Sequence, residues 1–426
     1  MIVERLPFRE ADEVFFTLKA LGYPVKLFLD SAAVNAKTGE LSLIAVGSEE
    51  EFSFKEERDA FKRLEKRFFK LKERFTVPHL PYGLMGYLSY DANALIEEVP
   101  SPKVDDIGMP LLHFFLPHTL LVFDNLKREL YLISHEPFKL PEKAPFKGEY
   151  RASLRGYNME RDYFEWAVGR IKDYIAAGDS FQVNFSQRLD FNFKGSSVAL
   201  YRRLREINPS PFAFYMDLGD FKAVSCSPER LLKVEDGVAQ TRPIAGTRRR
   251  GRTLKEDEEL KRELLLSEKE RAEHVMLVDL ERNDLGRVCR YGTVEVDELM
   301  VLEEYSHVVH IVSNVRGVLR EGVSEVEALK ALFPGGTITG APKIRTMEII
   351  AELEPTRRAL YTGSVGYLGF NGRSDFNIVI RTLLLKEEVG YLQVGAGIVW
   401  DSIPEREYRE TLHKARALLA SLGVEV

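Results

Sequence analysis

Three apolar runs near the end of the chain, GSVGYLGF (Gly363–Phe370), FNIVIRTLLL (Phe376–Leu385) and YLQVGAGIVW (Tyr391–Trp400), decide the fold class. Each is rich in β-branched and aromatic residues and reads as a strand. The stretch after them reads as a helix over about Ile403–Leu422, opened by the capping-box spacing Ser402-x-x-Glu405. The same texture recurs upstream. Phe212–Met216, Phe221–Ser225 and Leu231–Val234 form a meander, Pro24–Asp30 pairs with Leu41–Val46, and Leu111–Phe123 pairs with Glu129–Ser134. Antiparallel strands mixed with long helices argue for an α+β fold, mostly antiparallel sheets with packed helices, rather than a doubly wound parallel sheet.

Helices are expected over Glu49–Phe75, Met159–Ala177, Val198–Ile207, Lys255–Leu266, Glu270–Asp284 and Lys343–Leu353, and a strand carrying His307 and His310 over Tyr305–Val318. The Pro- and Lys-rich segment Pro137–Lys147 is the best linker, dividing the chain into an N-terminal part, 1–147, and a second part, 148–426. The 426 residues allow a substantial core, and a net charge of −6 gives no argument for nucleic acid. Two cysteines, no apolar N-terminal leader and no run long enough to span a bilayer predict a cytoplasmic protein without membrane contact.

Several constellations bear on chemistry. In ERAEHVMLVDLERND (Glu270–Asp284), Glu270, Glu273 and His274 share one helix face. Glu407 and Glu410 repeat the Glu-x-x-Glu spacing on the closing helix. Such pairs are either solvated charged faces or carboxylate ligands suited to Mg²⁺. Arg381 lies inside an apolar strand and needs a carboxylate, either a substrate's or a protein side chain's. Gly395-Ala396-Gly397 interrupts a strand, which marks a bulge or a close backbone approach, and Gly246-Thr247 makes the same statement. Gly83 and Gly86 in PYGLMGYLSYD likewise let something come close. Gly335 and Gly340 have P-loop spacing, but Ala341-Pro342 follow where Lys and Ser/Thr are required. That turn instead starts a helix whose amides, with Lys343, suit a carboxylate. His310 is either a satisfied core group or an acid–base residue.

These stretches together resemble the chorismate-utilising enzymes, and among them most closely the anthranilate synthase large subunits. The resemblance rests on LFLDSA (Leu27–Ala32), GDSFQVNFSQR (Gly178–Arg188), NPSPFAFYM (Asn208–Met216), SPERLL (Ser227–Leu232), TRPIAGTRRRG (Thr241–Gly251), AEHVMLVDLERNDLGRV (Ala272–Val288), FPGGTITGAPKIRTMEII (Phe333–Ile350), YTGSVGY (Tyr361–Tyr367), FNIVIRT (Phe376–Thr382) and AGIVWDSIPEREYRETLHKAR (Ala396–Arg416). It implies a large α/β sandwich-like fold that binds chorismate and Mg²⁺. It also implies a partner glutamine amidotransferase subunit, assembled as a heterotetramer, that supplies ammonia. By motif position, Glu273 and Glu410 would ligate the ion, with Glu270 and Glu407 in support. Tyr361, Arg381 and Gly395, Ala396 and Gly397 would hold substrate carboxylates, with Gly246 and Thr247 against the ring. His310 falls on the family's catalytic histidine, which assists departure of the C4 hydroxyl.

Two positions choose within the resemblance. Ala245 stands where aminodeoxychorismate synthases typically carry a nucleophilic lysine, and Gln182 stands where isochorismate synthases carry the lysine that activates water. Both favour anthranilate synthase. Asp30, Ser31, Pro211, Phe212 and Ala213 correspond to the family's tryptophan feedback pocket, with Asp30 and Phe212-Ala213 departing from its commonest residues.

Overall fold

The computed structural model describes residues 1–425 except 35, 36, 103, 306 and 307. Every strand-to-strand ladder among the described residues is antiparallel. One run of paired strands goes from Ile2–Leu6 through Glu129–Ser134, Leu112–Asp124, Leu41–Phe54, Val25–Asp30, Phe212–Asp217, Phe221–Ser227, Thr382–Lys386 and Val389–Ile398 to Gln182–Gly195 and Tyr150–Tyr157. A second run leaves the first part of Leu112–Asp124 and passes through Gly83–Leu88, Ser364–Gly369, Ser374–Asn377, Arg230–Glu235 and Val238–Thr241 to Val308–Val318. Ile244–Arg249 and Glu295–Glu304 pair with that last strand.

Both faces of the central strands of the first run are covered, which is why they read as continuous apolar runs, whereas the end strands Ile2–Leu6 and Tyr150–Tyr157 keep exposed positions. Leu27, Phe214 and Leu384 point into the larger core, with Leu84, Leu232 and Phe376 of the second run and the helices Ala60–Phe75 and Glu325–Leu332. Phe28, Tyr215 and Leu383 point the other way, against the helices Ala11–Ala20, Ser197–Ile207 and Pro404–Leu422. Glycines 83 and 86 serve sheet packing. A Cβ on Gly83 would stand 1.9 Å from the carbonyl oxygen of Leu368, and one on Gly86 2.0 Å from that of His113.

Four expectations need correction. The helix expected from Glu49 begins at Ala60, because Glu49–Phe54 continue the strand Leu41–Phe54, where Phe52 and Phe54 pair with Phe114 and Leu112. Tertiary pairing overrides the helical propensity of the Glu-rich stretch. The strand expected over Phe376–Leu385 is two strands, Ser374–Asn377 and Thr382–Lys386, separated by a break in which Arg381 has φ +51°. The closing helix starts at Pro404 without a capping box, since the Ser402 hydroxyl accepts instead from the amide of Val399 at 3.1 Å. The strand around His310 starts at Val308, and the expected His307 lies outside the described residues. Other elements fall close to expectation, among them helices Glu268–Gly286 and Lys343–Leu353.

Candidate active site

A cavity of about 550 Å³ opens between the helices Glu268–Gly286 and Pro404–Leu422 and the edges of the sheets. Glu270, Glu273, Glu407, Glu410, His310, Gly246, Thr247, Tyr361, Arg381, Gly395, Ala396 and Gly397 all line it. Every catalytic, substrate and metal residue named from the sequence is thus brought to one place.

The acidic helix turns Val278 and Leu285 into the core, which leaves Glu270 and Glu273 facing the cavity. Arg248 reaches Glu270 at 3.3 Å and contributes to the wall. His274 is fully buried on another side, with Nε2 2.5 Å from the Ser313 hydroxyl, and is no part of the cavity. Across the space, Glu410 lies 4.0 Å from Lys414.

Gly246 sits in a bulge. The ladder between Ile244–Arg249 and Val308–Val318 slips between Ala245 and Thr247, and Gly246 takes φ +71°. The slip sets Thr247 opposite His310, and its hydroxyl lies 2.8 Å from Nδ1. Burial, reinforced by repulsion from Arg381, lowers the pKa of His310 to about 4. The imidazole is therefore neutral at physiological pH and offers an N–H or a lone pair.

Gly395–Gly397 is not a bulge, because its pairing with Gln182–Gly195 is unbroken. Protein groups lie on its backbone instead. A Cβ on Gly395 would meet the Tyr361 hydroxyl at 2.6 Å, and one on Gly397 the Gln182 amide nitrogen at 2.3 Å. Tyr361 is half-buried, and desolvation pushes its phenol up to about 12. The guanidinium of Arg381 points into the cavity and makes no hydrogen bond or ion pair with any described residue. Its carbonyl accepts from the amide of Cys226 at 3.1 Å, which anchors the break. Of the two partners open for Arg381, no protein carboxylate among the described residues pairs with it.

Sequence reasoning missed two groups on the cavity wall. Glu229, inside the quoted SPERLL, is 5% exposed, and burial raises its pKa to about 7. Lys414, one helical turn after Glu410, donates to the carbonyl of Gly395 at 3.0 Å. Its side chain is 42% exposed along the cavity, while the protein packed around the ammonium strips away part of its water. Burial lowers its pKa, Arg381 adds to the effect, and Glu410 opposes it. The i,i+4 spacing of Glu410 and Lys414 was the available signal. Lys343, by contrast, is engaged inside the protein, donating to Asp284 and to the carbonyl of Leu332.

A second, smaller cavity of about 100 Å³ is lined by Asp30, Ser31, Pro211, Phe212 and Ala213, together with Arg230, Arg373 and Asn377. Pairing of Val25–Asp30 with Phe212–Asp217 places Asp30 opposite Ala213. Asp30 accepts from the Tyr201 hydroxyl at 2.8 Å and from Arg205 at 2.7 Å.

Residues 27–420 match the model of the family described as chorismate binding enzyme. An aminodeoxychorismate synthase component 1 of Bacillus subtilis is 47% identical over 81% of this chain and 78% of its own length. An anthranilate synthase component 1 of Thermus thermophilus is 43% identical over 94% of this chain and 92% of its own. The crystal structure of anthranilate synthase component I from Streptococcus pneumoniae superposes with a TM-score of 0.78 at 34% identity, covering 90% of this chain and 93% of that one. A sandwich of antiparallel sheets, one large cavity that gathers the named carboxylates, arginine and histidine, and a match along nearly the whole length lead to one conclusion: this chain belongs to the chorismate-utilising enzymes.

Proposed function

We propose that the chain is the large subunit of an anthranilate synthase, which adds ammonia to chorismate and releases pyruvate. The observation that carries this reading is Arg381. A cavity-lining guanidinium with no hydrogen-bond or ion-pair partner among the described residues, only the more distant field of the partly neutralised Glu229, is matched by a ligand carboxylate, and chorismate brings two. Arg381 and Tyr361 bind and orient the substrate against Gly395–Gly397. Gln182 supports ammonia as the nucleophile. Its carbonyl oxygen is buried and accepts a hydrogen bond from no described residue, so it is open to an N–H, and an amide does not deprotonate water. Ammonia attacks C2 and the C4 hydroxyl leaves. Glu229, partly protonated near neutrality, would deliver the proton that hydroxyl needs, and the neutral His310 would hydrogen-bond the oxygen as it leaves. Loss of the C2 proton and of the enolpyruvyl group as pyruvate then gives the aromatic product.

The donor set fits Mg²⁺: Glu273 and Glu410 would hold the ion, with Glu270 and Glu407 beside them. Among the described residues no three His, Cys, Asp or Glu side chains form a ready cage, so the ion would be held by one or two carboxylates and keep several waters. When bound, Mg²⁺ would supply charge stabilisation at a substrate carboxylate. Asp30, Ser31, Pro211, Phe212 and Ala213 would form the tryptophan feedback site, and a glutamine amidotransferase subunit would supply ammonia. Two free, buried cysteines suit a reducing cytoplasm, and no described helix is long and apolar enough to cross a membrane.

The Bacillus subtilis relative supports a second reading, aminodeoxychorismate synthase. One assay separates the two: purified chain with chorismate, Mg²⁺ and an ammonium salt, followed by anthranilate fluorescence. Accumulation of 4-amino-4-deoxychorismate moves the assignment to the second reading. Isochorismate would overturn the argument from Gln182.

A further inference from the structure

Behind the cavity, and outside its lining, lies a buried ion pair. Arg358 and Glu354 are each 1% exposed at the side chain and 2.7 Å apart. A guanidinium has five N–H donors, and in Arg358 each has an acceptor. Nε donates to Glu354 Oε2 at 2.8 Å, and Nη2 to Glu354 Oε1 at 2.7 Å and to the carbonyl of Asn184 at 2.6 Å. Nη1 donates to the carbonyl of Ile338 at 3.0 Å and to the Thr362 hydroxyl at 3.1 Å. It ties together three segments: the strand Gln182–Gly195, the turn Gly336–Ile338 and the turn at Tyr361-Thr362, the first two of which are also joined by the Asn184 amide, which donates to the Ile338 carbonyl at 3.0 Å. Asn184, Ile338 and Tyr361 each face the cavity. The guanidinium also lies 5.4 Å from the centroid of the Tyr361 ring and 4.6 Å from that of Tyr90. From Glu354 the network continues outward. Its Oε1 accepts from the Ser186 amide at 2.9 Å and hydroxyl at 2.7 Å, and that hydroxyl accepts from the cavity residue Gln393 at 2.8 Å.

We infer that Arg358 and Glu354 are positioning residues for the substrate, which fix from behind the wall against which the substrate carboxylate is bound. A buried ion pair adds little stability over apolar residues of the same volume, so stability alone is a poor account of it. What an apolar pair cannot supply is simultaneous donation to two backbone carbonyls and a hydroxyl on three different segments. A lysine, with one point charge, cannot span them either.

The inference rests on the cavity being the chorismate site, and wild-type turnover of chorismate checks that separately. The test compares Arg358→Lys and the double variant Arg358→Met/Glu354→Leu with the parent, by thermal unfolding and by steady-state kinetics with chorismate and ammonium. The double variant removes both charges and should unfold near the parent temperature, yet raise KM for chorismate about tenfold with kcat changed less than about threefold. Arg358→Lys should raise KM by a similar factor while keeping the charge. KM and kcat within about twofold of the parent in a folded double variant would make the pair purely structural. If the double variant does not fold, Arg358→Lys decides, and an unchanged KM there overturns the inference.

Discussion

Glu229 and Arg230 are consecutive residues that face different cavities. Glu229 lines the large one, while Arg230 lines the small one, where it grips Asp375 with two hydrogen bonds of 2.9 Å and lies 5.0 Å over the ring of Phe212. The neighbouring segment repeats the arrangement. Asn377 lines the small cavity and donates to the carbonyl of Phe212 at 3.3 Å, and Ile380 and Arg381 line the large one. The Ile378 amide donates to the carbonyl of Glu229 at 3.0 Å and so ties the two segments together. One layer of backbone separates the cavities.

A ligand in the small cavity should therefore act on substrate binding through this wall. Replacing Arg230 by Ala should weaken inhibition by tryptophan about tenfold, within the usual range of coupling energies. Inhibition curves at fixed chorismate measure it. Unchanged sensitivity in a folded variant would place the regulatory contact elsewhere.

The buried carboxyl of Glu229 should trade stability for function. Its pKa rises from 4.5 in the unfolded chain to about 7 in the fold, so the folded state holds the proton more tightly and loses stability as pH climbs through that window. Glu229→Gln removes the penalty and should gain about 2–4 kcal/mol at pH 8.5 relative to its effect at pH 4.5. Turnover should fall on the order of a hundredfold. Urea unfolding at the two pH values and steady-state rates test both halves, and a gain independent of pH would contradict the assignment.

His310 should leave its mark on the acid side. Its folded pKa, about 4, is below the unfolded value of 6.5, so the unfolded chain takes up the proton first and stability is lost as pH falls from 6.5 towards 4. His310→Asn should flatten that part of the stability profile. His310→Ala should lower kcat on the order of a hundredfold and leave KM within about threefold. A larger change in KM than in kcat would make it a binding residue.

Glu273→Gln and Glu410→Gln should each abolish Mg²⁺-dependent turnover while the circular dichroism spectrum stays that of the parent. Chelation of the parent enzyme should have the same effect and be reversed by added Mg²⁺. Near-normal activity in either variant would remove that residue from the ion site.

How much of this was legible in the sequence depended on range. Helix Glu268–Gly286 could be read because Glu270, Glu273 and His274 fall at helical spacing, a signal carried within a single turn. The break before Thr382 could not, since FNIVIRTLLL is apolar at seven of its ten positions and only the pairing of Thr382–Lys386 with Phe221–Ser227 and Val389–Ile398 decides where the strand restarts. Glu229 was invisible for the same reason. Its surroundings come from segments distant in the chain, among them Ile244, whose amide donates to the carboxyl at 3.4 Å, and no local pattern announces a carboxyl that holds its proton towards neutrality. The cavity residues themselves were found through quoted motifs, whereas geometry was needed to see that Gly246 is a bulge and Gly395–Gly397 is not.

The order of strand pairing carries a consequence for how the chain is made. Gly83–Leu88 hydrogen-bonds to Ser364–Gly369, and Val25–Asp30 to Phe212–Asp217. As the ribosome delivers the first strands, their partners do not yet exist, and unpaired, apolar edges stand open until the last quarter of the chain emerges. Such long-range closure is slow, so a fragment ending near residue 147 would keep those edges for good and self-associate. Full-length synthesis, and help during the wait, are built into the topology.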